Sequence, residues 1–468
     1  MNLSLRTLRS IPYMDAVGFE KARSKQLTGV STDSRSIGSG NLFVALRGEK
    51  FNGHNFVSAA LERGARALLV DAAWAKENGR MVSSAHVPVV IVEETTRGLG
   101  DLAREHRRDW GRRVVAVAGS NGKTTTKEMV AAVLGRKYHV LATEGNLNNH
   151  IGVPLTLLRL QEKHDVAVIE FGTNHPGEIA YLCGVSEPTH GLITNIGREH
   201  LEFFGGIDGV AEEEGALFDW LAGRGGNAIV NKDDSRVVKR ARRVSRKVSY
   251  GVRNRSADIR ATSISVDGRG NASFDVVRKG KRPVAIQLET PGVHSAGNAL
   301  AAFATGAMFA VPVADIVEAL HLFRAPSKRM QIVDVNGVTI LDDTYNSNPD
   351  SVRAALETLG AMETTGKRIA VLADMLELGP SAEEAHRTVG SWLKEFHVDY
   401  ALTYGPLSRL TNEHSTARVA LHYDQKNVLS EYLSELVSRG DVVLVKGSRG
   451  MKMEDVVMFL VTSDPVAA

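Results

Sequence analysis

Short, continuous apolar runs alternate with longer amphipathic stretches along most of this chain, the pattern of strands buried on both faces with helices between them. In the first stretch this predicts strands at 41–46 and 65–70 around a helix at 55–63, closed by a charged helix at 102–110 and by Gly111. A second stretch opens with Arg113-Val-Val-Ala-Val-Ala118, a β-branched run suited to a parallel sheet, and continues with strands at 165–170, 191–195 and 227–230. Helical patterns separate them, so right-handed βαβ crossovers are expected. From 248 to 288 the pattern shortens to alternating segments with turns at Gly268 and Gly280, which predicts a small antiparallel section before an Ala-rich helix at 298–309. The third stretch begins near Arg324 and reads strand 338–342, helix 349–359, strand 368–373, helix 381–396, strand 400–403, helix 428–437, strand 442–445 and helix 453–460. The expectation is an α/β fold of three domains, 1–110, 111–325 and 326–468. The third is a doubly wound, Rossmann-like unit whose ligands bind at the carboxyl ends of its strands.

Composition excludes classes rather than adding any. At 468 residues the chain can bury several cores, and 43% hydrophobic residues with 57 basic against 54 acidic side chains leave no room for a disordered or polybasic protein. The run Arg236, Lys239, Arg240, Arg242, Arg243, Arg246, Lys247 has no aromatic residues interleaved, so it reads as a solvated helix face and no nucleic-acid partner is expected. Cys183 is the only cysteine, which rules out an intrachain disulfide and a cysteine-built metal cluster. Arginines and Asp15 interrupt the first residues where a secretory signal needs an apolar run of about 7–15. No stretch approaches the ~18 apolar residues of a membrane span, so a cytoplasmic protein without membrane insertion is expected.

Chemistry concentrates where strands end. Gly119, Ser120, Asn121, Gly122, Lys123, Thr124 and Thr125 follow the strand 113–118 directly and open a helix. Glycines let successive N–H groups turn toward phosphate oxygens, the helix N-terminus adds partial positive charge, and Lys123 would reach the β/γ-phosphates while Thr124 coordinates Mg²⁺. The spacing departs from the common phosphate loop, because Val117 stands where the first glycine of G-x-x-x-x-G-K-[ST] belongs. Glu170 closes the next strand and is expected as a Mg²⁺ ligand. His200 ends Thr194-Asn-Ile-Gly-Arg-Glu-His200, where it could bind metal or pair with Glu199. Asp342 and Asp343 end a strand of the third stretch and could bind a ribose diol; Asn346, Ser347 and Asn348 could cap the helix starting at Pro349. Lys446-Gly-Ser-Arg449 is a strand-end turn with two cations, suited either to an anionic substrate group or to solvent.

Taken together, Gly119-Ser-Asn-Gly-Lys-Thr124, Glu170-Phe-Gly-Thr-Asn-His-Pro-Gly177, Asn195-Ile-Gly-Arg-Glu-His200, Gly297-Asn-Ala-Leu-Ala301, Asp343-Thr-Tyr-Asn-Ser-Asn-Pro349 and Lys446-Gly-Ser-Arg449 resemble the Mur ligases, ATP-dependent amino-acid ligases of peptidoglycan synthesis. The resemblance runs nearly end to end. Glu144-Gly-Asn-Leu-Asn-Asn-His-Ile-Gly-Val-Pro154, Tyr345-Asn-Ser-Asn-Pro-Asp350 and Asp374-Met-Leu-Glu-Leu-Gly379 favour the member that joins D-alanyl-D-alanine to UDP-N-acetylmuramoyl-tripeptide. The resemblance implies a uridine-nucleotide domain, a central phosphate-loop ATPase domain and a C-terminal ligase domain, working as a monomer with ATP and Mg²⁺. It implies that Ser31, Thr32, Asp33, Ser34, Arg35 and Arg47 bind the nucleotide sugar and that Asn146, Asn148 and Thr173 approach the muramoyl peptide. Asn298 would lie near the adenine, Arg329 and Asp343 would contact phosphate and ribose, and Tyr345, Asn346, Asn348, Lys446, Ser448 and Arg449 would meet substrate. Thr124, Glu170 and His200 would hold Mg²⁺, with Lys123, Glu170 and His200 catalytic. Several family members hold a second Mg²⁺ through a carbamylated lysine; here Glu214 aligns with it, and the expectation is that its carboxylate serves directly, leaving activity indifferent to bicarbonate. A second departure is Ser295, where relatives often have Asn. Rival readings are another amide ligase, including one adding glutamate to a folate-like acceptor, a mechanical ATPase, and a nucleotide-binding scaffold without turnover.

Overall fold

The computed structural model describes residues 3–12, 14–21, 26–48 and 51–463. The chain packs as two compact units, one of 1–117, 138–173 and 177–191 and the other of 118–137, 174–176 and 192–468. The α/β architecture with mostly parallel sheets is as expected from the hydrophobic pattern.

In the first unit, strands β1 (Asp15–Val17), β2 (Gly29–Ser31), β3 (Asn41–Val44), β4 (Ala67–Asp71) and β5 (Val89–Val92) form a sheet of order β1-β5-β4-β3-β2. Only β1 runs antiparallel to its neighbour. Phe43, Leu68, Val70 and Val89 anchor its core with Val57 and Ala60 of the helix Val57–Glu62. The charged helix runs Thr95–Trp110, beginning well before the expected 102. Its early start is hidden by Gly98 and Gly100, poor helix formers that are there for contact: a Cβ on Gly98 would stand 2.9 Å from the Val92 side chain. Glu94 caps it, accepting the N–H groups of Thr96 and Arg97 at 2.7 Å each. A second parallel set places β8 (Val166–Glu170) between β7 (Val140–Ala142) and β6 (Arg113–Ala118), with Glu170 opposite Val117.

Beyond β9 (His190–Ile193), the second unit holds β10 (Asn227–Asn231), β11 (Arg246–Gly251) and β12 (Ile259–Val266) in parallel, then β13 (Asn271–Arg278) and β14 (Val284–Pro291) antiparallel. The antiparallel section therefore starts later than 248. The chain leaves β11 through a broad loop rather than a hairpin, because Asp233 accepts the N–H groups of Val252, Arg253 and Asn254 at 2.6, 3.0 and 2.7 Å. The Ala-rich helix is His294–Met308. Of the basic run, Arg236, Lys239, Arg242, Arg243, Arg246 and Lys247 are exposed while Val237 and Ala241 are buried, the solvated face the sequence suggests.

The last sheet has order β15-β16-β20-β17-β18-β19, from β15 (Gln331–Val335), β16 (Val338–Asp343), β17 (Arg368–Ala373), β18 (Tyr400–Tyr404), β19 (Val419–Tyr423) and β20 (Val442–Lys446). Leu356, Leu359 and Leu393 cover one face and Leu429, Leu433, Val456 and Leu460 the other. The edge strands β15 and β19 carry no unbroken apolar run, which is why the sequence pattern does not announce them. Parallel pairing sets Asp343 directly beside Lys446 at the carboxyl ends of β16 and β20. No described helix is long and apolar enough to cross a membrane.

Candidate active site

The cradle expected after β6 is a tightly laced loop. Gly119 and Gly122 adopt φ of +112° and +77°, and a Cβ on Gly119 would fall 2.4 Å from Thr194 Oγ1. Ser120 N–H donates to Asn195 O at 2.9 Å, Asn121 N–H to Asn195 Oδ1 at 3.0 Å, and Gly197 N–H to Ser120 Oγ at 2.8 Å. These bonds fix the loop's backbone. From Gly122 the helix Lys123–Gly135 begins, carrying Thr124 buried and Thr125 half-buried in its first turn. Asn298, on the helix His294–Met308, accepts from Thr126 Oγ1 at 3.1 Å and borders the loop: a Cβ on Gly122 would stand 2.8 Å from its Oδ1.

Charge within the loop is delicately placed. Lys123 Nζ donates to Ser120 O and to Glu199 Oε2, both at 3.3 Å. Glu214, fully buried on the helix Ile207–Arg224, accepts the Gly119 N–H at 2.7 Å through Oε2. Neither Glu214 Oε1 nor Glu199 Oε1 accepts a hydrogen bond among the described residues. Burial pushes the Glu214 carboxyl up to about 8; Lys123 pulls it down and Glu199 pushes it further up. Of the two readings the sequence left open for His200, pairing with Glu199 does not occur. Glu199 faces Lys123, whereas His200, at φ +48°, points elsewhere and sets Nδ1 2.6 Å from Glu377 Oε2. That contact holds the Glu377 carboxyl below its usual range.

Segments of the last sheet meet the same loops. Asn348 caps the helix Pro349–Ala361 through a reciprocal box with Ser351, as expected, and its Nδ2 also donates to Asn121 Oδ1 at 2.9 Å. Asp350 accepts the backbone N–H of Arg198 at 2.8 Å and its guanidinium at 2.7 and 3.2 Å. Asp342 is occupied locally, accepting the hydroxyl and N–H of Thr344, and burial raises its carboxyl. Asp343 Oδ2 takes Lys446 Nζ at 2.6 Å, and the same ammonium donates to Asn346 O at 2.8 Å. Arg329 and Arg449 lie 3.7 and 5.5 Å from the centre of the Tyr345 ring, while Ser448 accepts the Leu376 N–H at 2.8 Å. Arg198, Asp350 and Glu377 were not singled out by sequence, and Glu199 only as an alternative partner of His200. Their signal was present only as membership of segments already chosen for other residues.

Residues 26–107 match the family described as Mur ligase family, catalytic domain; residues 117–306 match the Mur ligase middle domain, and 328–449 the Mur ligase glutamate ligase domain. The chain belongs to the Mur ligase family. It is 34% identical to the UDP-N-acetylmuramoyl-tripeptide--D-alanyl-D-alanine ligase of Bacillus subtilis over 98% of this chain and 99% of that one. Among solved structures it is similar to MurF from Acinetobacter baumannii (TM-score 0.88, 30% identity, 98% and 99% of the two chains). It is also similar to the MurF ligase of Thermotoga maritima in complex with ADP (TM-score 0.81, 27% identity, 93% and 97%).

Within this Mur ligase chain, the first unit carries the remaining expected positions. Glu170 is buried at the end of β8, with Oε1 accepting from Asn148 Nδ2 at 2.8 Å and its N–H donating to Thr143 Oγ1 at 3.0 Å. Asn146 is exposed, and buried Thr173 donates to Glu178 Oε2 at 3.2 Å. Ser31, Thr32, Asp33, Ser34 and Arg35 form a compact turn: the Asp33 N–H donates to Ser31 Oγ at 3.1 Å, and the Asp33 carboxylate accepts both the N–H and the guanidinium of Arg35, which brings its carboxyl down to about 2. Arg47 reaches Asp71 at 3.0 Å, and buried His54 accepts the Asp71 N–H at 3.0 Å. Glu49 and Lys50 of the expected uridine segment lie outside the described residues.

Proposed function

We propose that this Mur ligase joins D-alanyl-D-alanine to UDP-N-acetylmuramoyl-tripeptide with cleavage of ATP to ADP and phosphate, completing the pentapeptide precursor of peptidoglycan. The observation that carries it is the laced glycine cradle, with Lys123 Nζ 3.3 Å from both Ser120 O and Glu199 Oε2 and acting on the buried carboxyl of Glu214, whose Oε1 accepts no hydrogen bond among the described residues. The tripeptide's terminal carboxylate attacks the γ-phosphorus, the bond to the β-phosphate oxygen breaks, and an acyl phosphate and ADP result. The neutral α-amine of the dipeptide then attacks the acyl carbon, phosphate leaves, and the amine proton is lost to solvent or base. Lys123 and the cradle N–H groups stabilise charge on the transferred phosphoryl group, and positioning supplies most of the remaining acceleration.

The donors also suit Mg²⁺. Two buried carboxylate oxygens without hydrogen-bond donors, on Glu214 and Glu199, and the Thr124 hydroxyl beside Lys123 are hard oxygen ligands. No three His, Cys, Asp or Glu side chains converge on one point among the described residues. Phosphate oxygens and water would therefore complete the shell around Thr124, His200 and Glu214, with Glu170 as the ligand that the family resemblance adds. When bound, the ion neutralises developing negative charge on the phosphates. Glu214 supplies its carboxylate without carbamylation. Ser31 to Arg35 and Arg47 are assigned to the uridine nucleotide, Asn146, Asn148 and Thr173 to the peptide, Asn298, Arg329 and Asp343 to adenosine, and Tyr345, Asn346, Ser448 and Arg449 to the incoming dipeptide. The enzyme is assigned to the cytoplasm as a monomer.

Incubation with UDP-N-acetylmuramoyl-tripeptide, D-alanyl-D-alanine and Mg-ATP tests the reading through phosphate release and product mass. One pentapeptide per phosphate is expected. Phosphate release without an amide product, or ligation only with glutamate and a folate-like acceptor, would overturn it.

A further inference from the structure

His200 and Glu377 meet in an unusual way. Both are non-glycine residues with left-handed backbone, φ +48° and +63°, a conformation disfavoured for a residue bearing a Cβ. Strain held at the very point where two side chains touch, with Nδ1 2.6 Å from Oε2, suggests that the contact is what the strain serves. The segment 374–379 is braced for it. Asp374 Oδ1 accepts the Ser408 N–H at 2.7 Å, buried His386 accepts the Met375 N–H at 3.0 Å through Nε2 while its Nδ1 is tied to Ala382 O, and Ser448 accepts the Leu376 N–H. Met375 and Leu378 are buried on either side of Glu377's exposed neighbour Leu376. On the opposite side, the Glu202 N–H reaches Glu377 O at 3.4 Å, and Gly379 packs so closely that a Cβ would stand 3.1 Å from Glu202 Cα.

A carboxylate at Nδ1 has one chemical consequence for an imidazole. It favours the proton on Nδ1 and leaves the Nε2 lone pair outward, here through a close ion-pair contact and not an aligned hydrogen bond. We infer that Glu377 is a positioning residue: by holding His200 through Nδ1 it presents Nε2 to the cation and phosphates of the nucleotide site, so the site is complete only while segment 374–379 lies against the helix Leu201–Phe204. The inference rests on the proposed ATP-dependent reading and adds to it a residue from the last sheet. An ordinary surface ion pair would instead be worth little and would leave cation binding untouched.

The test uses the full chain, with Mn²⁺ as probe, in the presence of ADP. Free Mn²⁺ is counted by electron paramagnetic resonance for wild type, Glu377→Ala, Glu377→Gln, His200→Ala and the double variant His200→Ala/Glu377→Ala. Glu377→Ala should weaken Mn²⁺ binding about 10-fold or more. Glu377→Gln, which keeps an acceptor for Nδ1–H, should recover most of the loss. The double variant should bind no more weakly than His200→Ala alone, because Glu377 acts through His200. Wild-type affinity in Glu377→Ala, or losses that add in the double variant, would overturn the inference. Thermal unfolding of each variant separates misfolding from the effect, and Glu377→Gln keeps the question open to refutation should the alanine variant unfold. Ligation by the wild type is measured alongside: its absence would count against the ligase reading, whereas normal ligation with unaltered Mn²⁺ binding in Glu377→Ala would count against Glu377 alone.

Discussion

Lys446 ends a buried parallel strand and Lys123 opens the helix that follows another, and each faces a carboxylate, yet they are built for different work. Lys446 has a side chain 2% exposed, with contacts of 2.6 Å to Asp343 and 2.8 Å to Asn346 O. Lys123 is 15% exposed and stands 3.3 Å from Ser120 O and from Glu199 Oε2, in a loop whose own backbone is secured by other bonds. Short, desolvated contacts make Lys446 a pin that ties β20 to the 343–346 turn. Lys123 is instead the proposed partner of the phosphates. The sequence marks Lys123 by its glycine loop and leaves Lys446 open between an anionic substrate group and solvent; the 2.6 Å contact to Asp343 is what shows Lys446 as the fixed charge.

The largest effect that could break this comparison is on turnover. Lys123→Ala should lower kcat/KM for ADP formation by about 10³-fold or more while thermal unfolding stays near wild type. Steady-state phosphate release and calorimetry check both halves, and near-normal turnover would remove Lys123 from the cradle's chemistry. Next in size, Lys446→Ala strands the Asp343 carboxylate and should cost about 3 kcal/mol of stability, read as a lower urea midpoint. An inactive but fully stable Lys446→Ala protein would mean that this lysine contacts substrate instead.

Smaller changes sharpen the picture. Asn348→Ala removes a helix cap and the bond to Asn121, so a loss of about 1 kcal/mol is expected together with weaker nucleotide binding, whereas a capping role alone would change stability only. The smallest concerns acid. Burial lowers His190 to about 4, so it stays neutral in the folded chain while the unfolded chain takes up a proton below its ordinary value of 6.5. Stability is thus complete above that value and is lost as pH falls from 6.5 toward 4. Between pH 7 and 6 the loss from this group should stay under about 1 kcal/mol. Melting temperatures across this range, compared with His190→Asn, check it; an unchanged slope in the variant would exclude His190 as the source.

How much was legible in the sequence follows burial. Arg113–Ala118 and Arg368–Ala373 were read to the residue, because strands covered on both faces are continuous apolar runs. The helix Thr95–Trp110 was read short, since Gly98 and Gly100 serve close packing at the expense of propensity. Lys123, with Gly119 and Gly122, was legible because phosphate binding dictates a local spacing. Adjacency offered Glu199 only as an alternative partner for His200; a left-handed turn at His200 sends the neighbouring side chains apart, Glu199 to Lys123 and His200 to Glu377, 177 positions away. Contacts between residues far apart in sequence leave no periodic trace.

If the substrate's own carboxylate attacks ATP, a tripeptide substrate whose terminal carboxylate carries heavy oxygen passes one of those oxygens to the released phosphate, which mass analysis reads. One heavy oxygen atom in the phosphate is expected for every amide bond formed. Phosphate free of the label, with all its new oxygen drawn from water, would contradict it.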